Sequence, residues 1–231
     1  MDIEERADRD FSRARRRAFL RRIGAFLRKD PASNRLLSFE EVKSALGAVE
    51  QVYLGMRTVP VDKIVGSVGR HRDFDRAFLP SNPDIGERWK KIDKLMQRAE
   101  ELPPISLYKI GDAYFVRDGN HRVSVARQQG VEMIDAEVIE LRTRVPIDSA
   151  LTARDLLHKM ELRRLLDRLP IDRVLPEIRL ELSDVADYRR LATHIEAHGF
   201  RLSQLWKRYV SPEEALRDWY EYSYRPIAEM I

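Results

Sequence analysis

Five consecutive residues, Asp118, Gly119, Asn120, His121 and Arg122, concentrate more chemistry than any other stretch of this chain. An apolar run from Ala113 to Val116 leads into them, and a helix-like run ending at Gly130 follows. A strand entering a helix through glycine leaves the first backbone N–H groups of that helix without internal acceptors. The helix dipole favours negative charge at the same place. Gly119 lets the chain turn tightly and lets a ligand approach the backbone. His121 and Arg122 add donors beside the opening, and a guanidinium forks a phosphate better than any other side chain. The plainer alternative is a turn and N-cap, with Arg122 a solvated surface charge. The functional reading expects Arg122→Ala to weaken anion binding with little change in melting.

A second polar cluster, Arg70-His71-Arg72-Asp73, follows Val65-Gly66-Ser67-Val68-Gly69. Arg70 and Arg72 are candidate phosphate contacts, and Asp73 and Asp118 are the carboxylates available as a general base. A metal nuclease of the hairpin-then-helix type would pair Asn120 and His121 with His71 or Asp73, and no His-cluster spacing supports it. His194 and His198 stand one turn apart on an expected helix, a pair that could share a metal but is usually incidental. No metal site is expected. The chain has no cysteine, which excludes disulfides, thiolate catalysis and Cys-based zinc sites. It also lacks a Walker loop and a dinucleotide fingerprint.

The elements that must hold these residues read as follows. Val59-Pro60-Val61 with Ile64-Val65 is a strand entering a turn. Asn82-Pro83 opens a helix with Ile85, Trp89, Ile92, Met96 and Ala99 on one face. Ile105 to Ile110, the Gly111-Asp112 turn and Ala113 to Val116 form a hairpin, and Ala136 to Leu141 alternates as one more strand. Upstream, a basic amphipathic helix ends at Asp30-Pro31, and Ser38 with Glu41 predicts a capping box for a short helix reaching Gly47. Downstream, Thr152 with Asp155 caps a helix. Ile178, Leu180 and Leu182 suggest a short strand, Ser183 opens a helix closed at Gly199, and Ser211-Pro212-Glu213-Glu214 starts the last helix. Trp219, Tyr220, Tyr222 and Tyr224 read as core or subunit contact. The expected organisation is a basic helical segment over 1–55, an α+β domain over 56–145 and a mainly helical domain over 146–231.

Composition bounds the class. With 231 residues, 43% hydrophobic and 35% charged, the chain is expected to fold as a globular protein. No window approaches the ~18 apolar residues of a membrane span, so no membrane partner is expected. The acidic start, Met1-Asp2-Ile3-Glu4-Glu5, has no apolar signal core, and a cytoplasmic, prokaryotic setting is the default expectation. Net charge is +4 and the pI about 9.3, a balance that permits nucleic-acid or nucleotide binding without demanding it. The basic charge gathers in Arg13, Arg15, Arg16, Arg17, Arg21, Arg22, Arg28 and Lys29. Non-specific DNA contact is expected there, and the helical flanks are the candidate surfaces for a homodimer.

Taken together, Val59-Pro60-Val61-Asp62-Lys63-Ile64, the hairpin and Asp118-Gly119-Asn120-His121-Arg122 resemble the ParB/sulfiredoxin superfamily over about residues 57 to 142. The resemblance implies an α+β fold, a small mixed sheet with helices. It also implies a nucleoside triphosphate, CTP or ATP with Mg2+, held at Gly119, Asn120, His121 and Arg122. Arg70 or Arg72 matches the basic residue after the family's first strand. The family spans partition clamps, sulfiredoxins and free-serine kinases, so several functions stay open. Sulfiredoxin activity is excluded, because Asn120 stands where that chemistry needs cysteine. The only candidate helix-turn-helix, Asp184 to Tyr209 turning at Gly199, places Ile195 where a small residue is wanted and His198 where an apolar one is. A serine kinase needs a carboxylate near the end of the first strand, and the nearest is Asp73. The leading expectation is therefore a nucleotide-binding regulatory or DNA-associated factor, with a small-molecule phosphotransferase as the alternative.

Overall fold

Ile105 and Leu107 alternate inward along β4 (Ile105–Ile110), and Val116 does so along β5 (Ala113–Asp118); the two strands are joined at Gly111-Asp112. They form the centre of a six-stranded sheet with β1 (Leu37–Ser38), β2 (Gln51–Pro60), β3 (Ile64–Ser67) and β6 (Met133–Leu141). The strand order is β1-β3-β5-β4-β6-β2. β1 with β3, β3 with β5 and β4 with β6 run parallel, whereas β4 with β5 and β2 with β6 run antiparallel. This arrangement comes from a computed structural model, which describes residues 2–230.

Because successive strand residues face opposite ways, the sheet buries two sides. Val116 joins the core shared with α1 (Ile3–Leu27), α3 (Gly86–Gln97) and α4 (Asn120–Gln129), in which Trp89, Val123 and Val125 are fully buried. On the other side, Phe115 meets Phe39 of α2 (Phe39–Leu46), whose ring stacks on Tyr108 at 4.4 Å. The fold is α+β with a mixed sheet and flanking helices.

The chain divides into two compact units, one running to Leu156 and one starting at Leu157. The first thirty residues pack within the N-terminal unit. Ala7, Ala14, Ala18 and Ala25 form the buried stripe of α1, and Phe11 tilts onto Trp89 of α3 at 5.5 Å.

The C-terminal unit is helical: α5 (Asp155–Arg168), α6 (Ile171–Val174), α7 (Val185–Trp206), α8 (Pro212–Trp219), a π-helical turn over Tyr220–Tyr224 and α9 (Arg225–Ala228). Two expectations fail here for physical reasons. Ile178 to Leu182 is not a strand, since no strand among the described residues of this unit offers it a ladder. Gly199 does not end a helix; α7 runs through it, and a Cβ there would lie 2.7 Å from the Cβ of Ala215 on α8. The glycine serves close helix packing, and the helix-turn-helix reading of Asp184 to Tyr209 falls with the turn. Ser211 and Glu214 do form the expected capping box. Ser38 and Glu41 do not, because Glu41 pairs with Arg35 at 2.6 Å.

Candidate functional site

The central hairpin ends at Asp118, the last residue of β5, and the chain turns at Gly119 into α4. Gly119 has φ +106°, a conformation that side-chain-bearing residues rarely adopt, and a Cβ there would sit 2.5 Å from Cγ2 of Ile105. Both conditions select glycine. Since glycine has no side chain to cap with, the first turn of α4 presents its N–H groups uncapped.

Two polar side chains are buried at this opening. Asn120 and His121 are 8% and 5% exposed. Among the described residues, Oδ1 of Asn120 and both ring nitrogens of His121 have no hydrogen-bond partner. Buried polar atoms are nearly always paired, so three orphans in two adjacent residues set this opening apart. Burial, then the nearby Arg88 and Arg70 guanidiniums, pull the His121 imidazole down to about 4, against the pull of Asp73. The ring is neutral at pH 7 and carries one N–H donor and one acceptor.

A recess of about 50 Å³ opens here, lined by Arg88 and Ile92 of α3 and by Asp118 through Arg122. That volume suits a single phosphate-sized group, with any remaining ligand outside it. Arg88 carries no motif signal. In sequence it reads as part of the solvated face of α3, and only its position one turn before Ile92 brings it to the opening.

The predicted residues divide into two groups. Gly119, Asn120, His121 and Arg70 come together. The backbone N–H of Arg70 donates to Oγ of Ser67 at 3.2 Å, and its guanidinium pairs with Asp73 at 2.9 Å. Asp73 also accepts from Asn82 Nδ2 at 3.0 Å. Arg72 is exposed. Arg122 lines the recess but already has structural duties. Its guanidinium donates to Asp118 Oδ2 at 2.6 Å, to the Pro104 carbonyl at 2.9 Å and to the Pro103 carbonyl, tying the start of β4 to the elbow. Both candidate bases, Asp73 and Asp118, are therefore held by guanidiniums.

Behind the opening, α4 is fixed at two points. Ser124 Oγ accepts from Trp89 Nε1 at 2.8 Å and donates to the Phe78 carbonyl at 2.5 Å. Arg127 donates to the carbonyls of Val61 and Ile64, each at 2.7 Å, and its guanidinium lies 5.1 Å from the Phe78 ring centre. Burial and Arg76 lower Arg127 to about 10, which leaves it charged at neutrality. A larger cavity of about 670 Å³ lies near this far end of α4, bordered by Arg17, Arg21, Arg127 and Gly130. The helix dipole there is negative, and the three guanidiniums have partners in Gln128, Asp75 and backbone carbonyls.

In the C-terminal unit, His198 Nε2 meets Asp218 at 2.7 Å and His194 Nδ1 accepts from Trp219 at 3.0 Å, so the two histidines are engaged separately. Among the described residues, no group of three or more His, Asp or Glu side chains is arranged to hold a metal ion.

No protein-family model matches the chain, and no curated protein matches it. Among solved structures it is similar to a Pnob8-like ParB-N domain, in a C2221 form. The identity is 13% and the TM-score 0.27, with 78% of this chain and 85% of that chain covered. At that distance the chemistry has to be read from the residues themselves.

Proposed function

We propose that this protein is a nucleotide-binding, ParB-like regulatory or DNA-associated factor that holds nucleotide phosphates at the uncapped N-terminus of α4. The observation that carries the reading is the pair Asn120 and His121, buried at that terminus with three unpartnered polar atoms. Gly119 opens the backbone to the ligand, and Arg88 and Arg70 supply the positive field. A nucleoside triphosphate, CTP or ATP, fits this donor set: one phosphate in the recess and the rest of the molecule beyond it. Mg2+ would arrive on the phosphates, since the residues at the opening supply donors more than acceptors.

Binding is favoured over phosphotransfer because both carboxylates available as a base are held in ion pairs. With α7 unbroken, the helix-turn-helix candidate over Asp184 to Tyr209 is gone, and the polyanion contact we propose for α1 is one without sequence readout. The test is calorimetric titration with CTP, ATP, ADP and GTP, followed by phosphate release with and without DNA and free serine. The expected result is binding of a triphosphate with slow or no turnover. Rapid phosphate transfer to serine would replace this reading with the enzymatic one, and no binding of any nucleotide would remove it.

A further inference from the structure

The outer face of α1 carries an apolar stripe that the fold leaves uncovered. Phe19, Leu20, Ile23, Phe26 and Leu27 are all exposed, Phe26 and Leu27 to 75% and 74%. At 100° per residue they occupy an arc of about 120°, opposite the alanine stripe that packs against the core. From Phe11 to Lys29 there is no acidic side chain, while Arg13, Arg15, Arg16, Arg17, Arg21, Arg22, Arg28 and Lys29 are all exposed. Arg15 and Arg22 border the stripe on one side and Arg13 on the other. Arg22 lies against the Phe19 ring, its guanidinium 5.6 Å from the centroid. Among the described residues Arg15 and Arg16 have no ion pair.

We infer that this face docks on an anionic lipid bilayer surface. Apolar side chains flanked by long cations suit the headgroup boundary: the rings and leucines enter the acyl edge while the guanidiniums reach lipid phosphates. The helix lies on the membrane; none of the described helices is long and apolar enough to cross one. A second copy of the chain packed stripe to stripe fits poorly, because it would bring two acid-free cationic stretches, residues 11–29 of each copy, together. Duplex DNA fits the arginines but gives the five apolar side chains nothing to bury against.

The test uses the full chain with vesicles of phosphatidylcholine alone and with one third phosphatidylglycerol. Two surface variants accompany it, Phe26→Ser with Leu27→Ser and Arg15→Ser with Arg16→Ser, their folding checked by melting. The expected result is co-sedimentation with the anionic vesicles only, weakened by 0.5 M salt and at least tenfold weaker in each variant. No binding to anionic vesicles at low salt would overturn the inference. So would binding that the apolar variant leaves unchanged, which is electrostatics alone, or a dimer that the apolar variant dissociates. Preference for duplex DNA over the anionic vesicles would overturn it as well.

Discussion

His121 is the residue on which the candidate site can be tested without knowing its ligand. Its folded-state pKa, about 4, lies below the ordinary 6.5, so between those values the unfolded chain binds more protons than the native one. Stability is then retained above pH 6.5 and lost as pH falls through the window, by up to about 3 kcal/mol from this group. Urea denaturation at pH 7 and pH 4.5 should show the loss, and His121→Gln should reduce it. A bound phosphate would reverse part of the burial effect and favour the imidazolium, so nucleotide affinity is expected to rise as pH falls from 7 to 5.5. The two arginines at the opening separate as well. Arg88→Ala should weaken nucleotide binding by roughly 2 kcal/mol with melting unchanged, because Arg88 is exposed. Arg122→Ala should lower stability by about 1.5–3 kcal/mol, since it leaves the Pro103 and Pro104 carbonyls and Asp118 without their donor. Calorimetry and thermal melting on the same samples decide both.

Among the elements, the strand–glycine–helix elbow is the one whose geometry admits no substitute. Gly119→Ala must take on both a positive φ and an overlap with Ile105, and is expected to cost about 2–4 kcal/mol of stability. Adding Ile105→Ala should remove the nearer contact, with Cγ2, but keep the one at 2.9 Å with its Cβ and the backbone strain, so the double variant should still bind nucleotide less well than Ile105→Ala alone. A Gly119→Ala protein with wild-type melting would show an ordinary turn. The elbow was legible because each of its signals is local: alternation in the strand, Asp-Gly at the turn, Gly130 at the far end of α4. Gly199 failed as a stop signal for the converse reason. A glycine inside a helix costs ~1 kcal/mol against alanine, and here contact with Ala215 across the helix pair selects it. Arg88 and the Ser124–Trp89 bond escaped the sequence in the same way, since both depend on how α3 lies against α4, which no local pattern encodes.

At the scale of the whole molecule, α1 joins the core of the N-terminal unit to its charged surface. The charge run of residues 13–29 is plain in the sequence, and deleting residues 1 to 29 would be the direct way to test it for DNA binding. The structure makes that deletion a folding experiment. Removing residues 1 to 29 takes away the four buried alanines and strips Phe11 from Trp89 and from Gly86, where a Cβ would fall 2.9 Å from the Phe11 ring. Such a truncation is expected to lose cooperative unfolding of the N-terminal unit, together with nucleotide binding at a site the deletion does not touch. Phe11→Ala should separate the two, with stability lower by about 2 kcal/mol and nucleotide affinity nearly unchanged while the unit stays folded. Charge substitutions on the outer face, Arg15→Ser with Arg16→Ser, should leave both stability and nucleotide affinity within error while flattening the salt dependence of any polyanion binding. If the truncated chain instead melts like the full one and keeps its nucleotide affinity, α1 is a detachable arm, and its alanine stripe contributes little to holding α3 and α4 in place.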